Sequence, residues 1–336
     1  MRFRHLLLLC LPALAGACAK TNAPVRLDFI GTGTLTSGKK TVKPNDTLTT
    51  RLYAVGQDHP LKRLRITVSY DPGLAPIIYP LPLSSYNPKK QAPAVQQITY
   101  LDSLIAPLPA DPTGKEYLFV NQFSARATSG TEQWQYTIAD AQGNATSRAY
   151  VLTARKPDSA AVYHSFTSQL RPVPGNATSA AAKTRALVFL NLRFGLLLPK
   201  YALLNQEASV QDNQQLVDLI GLTNRAGTAL RLSAPADTQA IQTPSARWPV
   251  GNRRATVLRQ TRLTNDSLAA FGTVDKFKAA FTAGTAFGPN PFSTGPLTKN
   301  QVIAFQTADG LYGVLLVADV VLGSAPVLTC TVRVQK

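Results

Sequence analysis

Between Val25 and Thr153 the sequence is a succession of short runs in which apolar and polar residues alternate, each cut off by Gly, Pro, Asn or Asp. A period of two puts every second side chain on one face of an extended strand, so such runs form half-buried β-strands and exclude amphipathic helices. The runs are Val25–Ile30, Thr47–Tyr53, Leu64–Tyr70, Gln97–Leu101, Lys115–Phe123, Glu132–Ala139 and Arg148–Thr153. Leu64, Ile66, Val68 and Tyr70 share one face of their strand, as do Trp134, Tyr136 and Ile138 of theirs, which assigns Trp134 to the core. Pro44-Asn45-Asp46 introduces one run, and Asp140-Ala141-Gln142-Gly143-Asn144 closes a hairpin with residues that tolerate positive φ. With 45% hydrophobic and 16% charged residues, 24 Pro and 21 Gly, the chain is neither a coiled coil nor a disordered polyampholyte. The expected fold class is mainly β.

Seven strands in this span is the count of an immunoglobulin-like β-sandwich, expected over residues 25–156. Gly130-Thr131-Glu132-Gln133-Trp134-Gln135-Tyr136-Thr137-Ile138-Ala139-Asp140-Ala141-Gln142-Gly143-Asn144 resembles the closing hairpin of bacterial Ig-like domains in Bacteroidota-type envelope lipoproteins, where an acidic-aromatic strand enters a D-x-x-G-N turn. Val42-Lys43-Pro44-Asn45-Asp46-Thr47-Leu48 is similar to the entry into that family's second strand. The resemblance implies a fold and no catalytic residue. Between strands, nine prolines from Pro72 to Pro112 exclude a helix and predict an extended loop or edge excursion. Tyr79, Tyr86, Lys89 and Lys90 stand in its middle, an aromatic and basic set suited to sugar rings or an acidic group.

Residues 157–336 read as an α+β domain with an antiparallel sheet. Arg171 to Arg185 looks like a flexible surface loop, Val188–Leu192 and Leu216–Ile220 like strands, and Lys200–Gln211 like the site of a short helix. From Asn265 to Ala283 the apolar residues Leu268, Phe271, Val274, Phe277 and Phe281 recur every three or four positions, with Gly272 splitting the helix, Thr273 capping its second half and Gly284 stopping it. The end is a meander of Gln301–Thr307, Leu311–Val321 and Val327–Gln335, with Asp309-Gly310 as a tight turn. Val302-Ile303-Ala304-Phe305-Gln306-Thr307 and Gly310-Leu311-Tyr312-Gly313-Val314 resemble the terminal hairpin of uncharacterised domains in the same class of lipoproteins. Alternation puts Cys330 on the buried face of the last strand.

The N-terminus carries an address. Arg2, Arg4 and His5 precede the apolar stretch Leu6–Ala17, too short to span a bilayer, so residues 1–17 read as a signal peptide. Leu14-Ala15-Gly16-Ala17-Cys18 resembles a bacterial lipobox, which implies lipidation of Cys18 and a tether over residues 18–24. It departs from that pattern in carrying Ala15 where Leu is favoured, and Ala15-Gly16-Ala17 also suits ordinary signal peptidase. The expected location is the cell envelope, lipid-anchored in the outer membrane.

Chemistry is sparse. Glu116, Glu132 and Glu207 join fifteen Asp without a recognisable pair for glycan hydrolysis, and Asp218 lies in the apolar run Leu216–Leu222. His59 and His164 stand apart, with no paired Cys, nucleophile elbow or glycine-rich phosphate loop. The expectation is no cofactor, no metal and no enzyme. Charge is the remaining signal: 35 basic residues less Arg2 and Arg4 leave 33 against 18 acidic, net +15. The densest basic run comprises Arg247, Trp248, Arg253, Arg254, Arg259 and Arg262, which reads as an anion site or as a strand edge defended by charge. Export makes nucleic acid a poor partner. The reading is a non-catalytic binding or adhesion protein for an envelope glycan, an anionic polymer or another envelope protein, with a glycan hydrolase assembled only in the fold as the alternative.

Overall fold

The computed structural model describes residues 23–43, 46–71, 96–107, 111–126, 128–154, 162–204, 210–239, 247–268 and 270–336. The protein is mainly β, and its described residues form four sheets. The first is three-stranded and antiparallel, with β1 (Val25–Phe29), β3 (Thr47–Gly56) and β6 (Glu116–Ser124) in the order β1-β3-β6. The second has five strands, β2 (Lys40–Val42), β8 (Ala145–Ala154), β7 (Gly130–Asp140), β4 (Leu61–Asp71) and β5 (Gln96–Leu104), in that order and antiparallel except for β2 beside β8. Seven of these eight strands stand where the alternation puts them. The eighth, β2, has only three residues, too few to carry a period.

The two sheets pack face to face because their alternating apolar residues meet. Leu52, Leu64, Ile66, Tyr136 and Ile138 are completely buried, and the Phe123 ring lies 4.0 Å from that of Trp134, centroid to centroid. A polar chain also crosses this core. Thr50 Oγ1 lies 2.7 Å from Tyr150 Oη, which lies 3.0 Å from Tyr136 Oη; Asn121 Nδ2 donates to Tyr136 Oη, and Tyr201 Oη donates to Asn121 Oδ1. Burial pushes the Tyr201 phenol up to about 12. Because Tyr201 belongs to a 3-10 turn at Lys200–Ala202, this chain ties the first pair of sheets to the second half of the protein.

That half holds two antiparallel sheets. One has four strands, β11 (Leu196–Pro199), β10 (Leu187–Asn191), β12 (Leu219–Thr223) and β13 (Leu230–Ser233), in that order. The other has five, β14 (Val257–Gln260), β15 (Val302–Gln306), β16 (Tyr312–Val321), β17 (Val327–Gln335) and β9 (Tyr163–Leu170). Leu190, Leu219, Leu230 and Leu232 of the first pack on Phe305, Leu315, Val317 and Val332 of the second. Cys330 lies in the same layer, completely buried, and its thiol is pushed up to about 12 by that burial. On the outer face of the five-stranded sheet, Val302, Ala304, Val314 and Leu316 are covered by Leu268, Phe271 and Phe277.

Four short helices complete the described structure: α1 (Ala180–Arg185), α2 (Val210–Gln214), α3 (Asn265–Leu268) and α4 (Val274–Ala283). The periodic segment is split at Gly272, as its sequence predicts, and Gly284 N–H closes the end of α4 on Ala280 and Phe281 carbonyls. Arg171–Arg185, read as a loop throughout, instead ends in α1, whose first turn is capped by Ser179 Oγ accepting from Ala182 N–H at 3.1 Å. Asp309-Gly310 forms the expected turn with Gly310 at φ 80°, and Gly143 takes φ 88° in the β7–β8 hairpin. No described helix is long and apolar enough to cross a membrane.

Candidate functional site: a basic cleft on the four-stranded sheet

The face of the four-stranded sheet turned away from the five-stranded one forms the floor of a cleft of about 710 Å3. Register explains its lining. Phe189 of β10 is opposite Ile220 of β12, and Leu222 of β12 is opposite Arg231 of β13, so these four side chains share one face. Leu219, Leu230 and Leu232 alternate onto the other face and into the core. Gly221 sits between two floor residues where the Leu170 side chain comes close: a Cβ there would lie 3.0 Å from Leu170 Cβ.

The walls supply charge. Lys183 projects from α1 and its Nζ donates to Gly175 O at 3.2 Å. Lys200 opens the 3-10 turn, its backbone N–H donating to Ala186 O. Arg225 occupies the β12–β13 hairpin turn, whose shape is set by Asn224 Oδ1 accepting from Thr228 N–H and by Gly227 at φ 74°. A Cβ on Gly227 would stand 2.1 Å from Gly323 O, so only glycine fits there. Pro172, Val173 and Pro174 form a further wall, with Leu204 and Gln239 at other points of the rim. Among the described lining residues four are cationic and none is a carboxylate. Lys200, Arg225 and Arg231 are exposed, and no described acidic side chain pairs with them.

The residues singled out by the sequence lie elsewhere or have other work. Cys18, Tyr79, Tyr86, Lys89 and Lys90 fall outside the described residues. Trp248 borders the cleft but is 0% exposed: its indole Nε1 donates to Asn252 O, and its ring meets Phe189 edge to face at 5.7 Å. It is packing beneath the floor and not a ligand surface, a correction to its assignment as a binding residue. Arg253 Nε donates to Trp248 O. Arg254 is held between two carboxylates, its Nε 2.8 Å from Asp218 Oδ1 and its outer nitrogens on Asp309. Arg259, on edge strand β14, donates to Gly284 O and lies 4.9 Å from the Phe281 ring centroid, while Arg262 is exposed just beyond that strand. The structure therefore does not gather Arg253, Arg254, Arg259 and Arg262 around one anion: Arg253, Arg254 and Arg259 are each committed to protein partners, and the outer edge of β14 is itself occupied, with Leu258 N–H on Pro291 O and Gln260 bridged to Thr285.

Asp218, the buried carboxylate of the apolar run, accepts from Leu192 N–H at 2.8 Å as well as from Arg254. Burial pushes its carboxyl up, opposed by the Arg254 charge and the Leu192 amide. Asp309 moves the other way: the Arg254 hydrogen bonds hold it below the usual carboxylate range. Among the described residues, no three His, Cys, Asp or Glu gather as metal ligands would.

No family model matches the sequence, and no curated protein does. Among solved structures, the chain is similar to a DUF4466 family protein from Parabacteroides merdae ATCC 43184, at 12% identity over 94% of this chain and 99% of that one, with a TM-score of 0.32. It is also similar to Spo0M, a sporulation control protein from Bacillus subtilis, at 11% identity over 63% of this chain and 78% of that one, with a TM-score of 0.24. AvmM, which catalyses macrocyclization in alchivemycin A biosynthesis, is 9% identical over 41% of this chain and 93% of its own, with a TM-score of 0.23. Scores this low license no transfer of activity.

Proposed function

We infer that the chain is an exported, lipid-anchored binding protein of the cell envelope whose ligand is an anion seated in the basic cleft. The observation that carries this reading is the cleft's charge, with Lys183, Lys200, Arg225 and Arg231 around one space and no carboxylate among the described lining. Unopposed cations over an apolar floor attract a negative ligand and orient it. The described lining holds four cations and no pair of carboxylates of the kind glycan hydrolysis uses, which favours binding over the hydrolase alternative. Export and anchoring rest on the signal-like N-terminus and Cys18. An Ig-like first domain is supported by its strand order, β1-β3-β6 facing β2-β8-β7-β4-β5, in which β1 pairs with β3 in one sheet and the short β2 runs parallel to β8 in the other.

Titration with lipopolysaccharide, polygalacturonate and neutral dextran tests the ligand class. The chain is expected to prefer the anionic probes, with an affinity that falls as salt rises, and replacement of all four cleft cations by Gln should weaken binding by at least about tenfold. Equal affinity for dextran, or an unchanged affinity in the fourfold variant, defeats the reading. Anchoring has its own test. Metabolic labelling with a lipid precursor should tag the wild type and leave Cys18→Ala untagged and released, whereas equal release of both proteins means that the cut before Cys18 is made without lipidation.

A further inference from the structure

We propose that the ligand of this cleft is an anionic amphiphile, an aliphatic chain ending in a phosphate or carboxylate, and not an acidic saccharide. The inference rests on the cleft being an anion-binding site and narrows what that site takes. Its ground is the kind of apolar surface that the lining leaves open. Val173, Leu204 and Leu222 are partly accessible and aliphatic, whereas the two aromatic rings of the lining, Phe189 and Trp248, are 4% and 0% exposed. A sugar ring is held best by its flat C–H face on an open aromatic face, and the described lining has none. An alkyl chain needs no such platform, because non-directional contact with aliphatic side chains tightens binding by about fourfold for every methylene buried.

The charges stand where a headgroup of that kind needs them. Arg231 is paired across the sheet with Leu222, which sets a guanidinium beside the aliphatic floor, and Arg225 follows at the tip of the same hairpin. Arginine's planar fork matches the oxygens of phosphate or carboxylate, so the head is fixed at one end of the floor and the chain lies along it. The cleft's size falls within the range of sites that enclose small ligands.

The test titrates the exported chain with dodecyl phosphate below its micelle concentration, with decyl and octyl phosphate, with glycerol 3-phosphate and with polygalacturonate. Dodecyl phosphate is expected to bind at least about a hundredfold more tightly than glycerol 3-phosphate, with affinity climbing along the alkyl series. Arg225→Gln/Arg231→Gln should weaken dodecyl phosphate by about tenfold or more, and Leu222→Asn should weaken it without affecting glycerol 3-phosphate. The alkyl series reads the same floor contact in the wild type, should Leu222→Asn fail to fold. An affinity flat in chain length, or indifferent to the arginine substitutions, overturns the amphiphile. If polygalacturonate binds more tightly than dodecyl phosphate and depends on the same arginines, the amphiphile falls while the anion-binding function stands. If no anionic probe binds, both fall.

Discussion

Replacing Glu132 by alanine is expected to destabilise the protein by about 3–5 kcal/mol, because it strands a charge in the interior. The Arg126 and Glu132 side chains are only 2% and 5% exposed, with Arg126 Nε 2.6 Å from Glu132 Oε1. Glu132 Oε2 also accepts from Trp134 Nε1 at 3.1 Å, so one carboxylate satisfies the cation and a fully buried tryptophan together. Without it, the guanidinium retains the Phe194 carbonyl at 3.2 Å and the face of Tyr70, 3.7 Å from the ring centroid. Those partners are neutral. Urea unfolding should show the loss as a lower midpoint at unchanged slope. The double variant Arg126→Met/Glu132→Leu should recover part of it, since methionine packs well on the Tyr70 ring and no charge remains buried, while Trp134 Nε1 still lacks its acceptor. A single variant within about 1 kcal/mol of wild type, or a double variant no better than the single, would show that the pair is not what holds this site.

The expected effect reaches the cleft. Arg126 and Thr128 Oγ1 both donate to Phe194 O, in the turn that joins β10 to β11, and the Phe194 ring meets Tyr70 edge to face. The first pair of sheets thus grips the four-stranded sheet by one end of the strands that floor the cleft. Loosening that grip should weaken ligand binding in Glu132→Ala although no ligand-facing residue has changed.

How legible this was in the sequence depends on how local each signal is. Strand β4 could be read from Leu64, Ile66, Val68 and Tyr70 because its outer face is polar, so the alternation is visible within the run itself. Strand β11, Leu196–Pro199, is buried on both faces and reads as an unbroken apolar stretch without period. Strand β9 hides for the opposite reason: His164, Ser165, Thr167 and Ser168 blur the contrast between its faces, although Phe166 and Leu170 are buried. Helix α1 was masked by Pro172, Pro174, Gly175 and Asn176 upstream, though Ser179 ahead of an alanine run is a local start signal.

The cleft was less legible still. Lys183, Lys200, Arg225 and Arg231 each stand alone in sequence and meet only through the pairing of β12 with β13 and the placement of α1. One trace was available: Arg231 between Leu230 and Leu232 marks a solvent-side position on an otherwise buried strand. The conspicuous cluster from Arg253 to Arg262 misleads because density along the chain is not convergence in space. Arg254 and Arg259 end on different partners, one on a pair of carboxylates and the other on a backbone carbonyl.

Those two carboxylates give the second large effect, a contrast between substitutions around one arginine. Asp218 and Asp309 both pair with Arg254, yet the Asp218 side chain is 1% exposed and that of Asp309 is 50%. Asp218→Ala is expected to cost about 3 kcal/mol: it leaves the buried Leu192 N–H without an acceptor and the inner side of Arg254 without its partner. Asp309→Asn should cost less than about 1 kcal/mol, because water replaces much of what an exposed pair contributes. Acid separates them too. Asp218's carboxyl is raised by burial, so the folded protein binds that proton more tightly than the unfolded chain, and its ionisation destabilises the fold above the unfolded value of about 4. Asp309's carboxyl is depressed, so its contribution is present above that value and is lost as pH falls through the lower folded one. Removing Asp309 should therefore flatten part of the acid limb of the stability curve, while removing Asp218 should leave a steeper loss of stability on acidification from neutral pH than in the wild type. Equal losses for Asp218→Ala and Asp309→Asn at neutral pH would mean that burial does not set the strength of this cluster, and that Arg254 draws on both carboxylates alike.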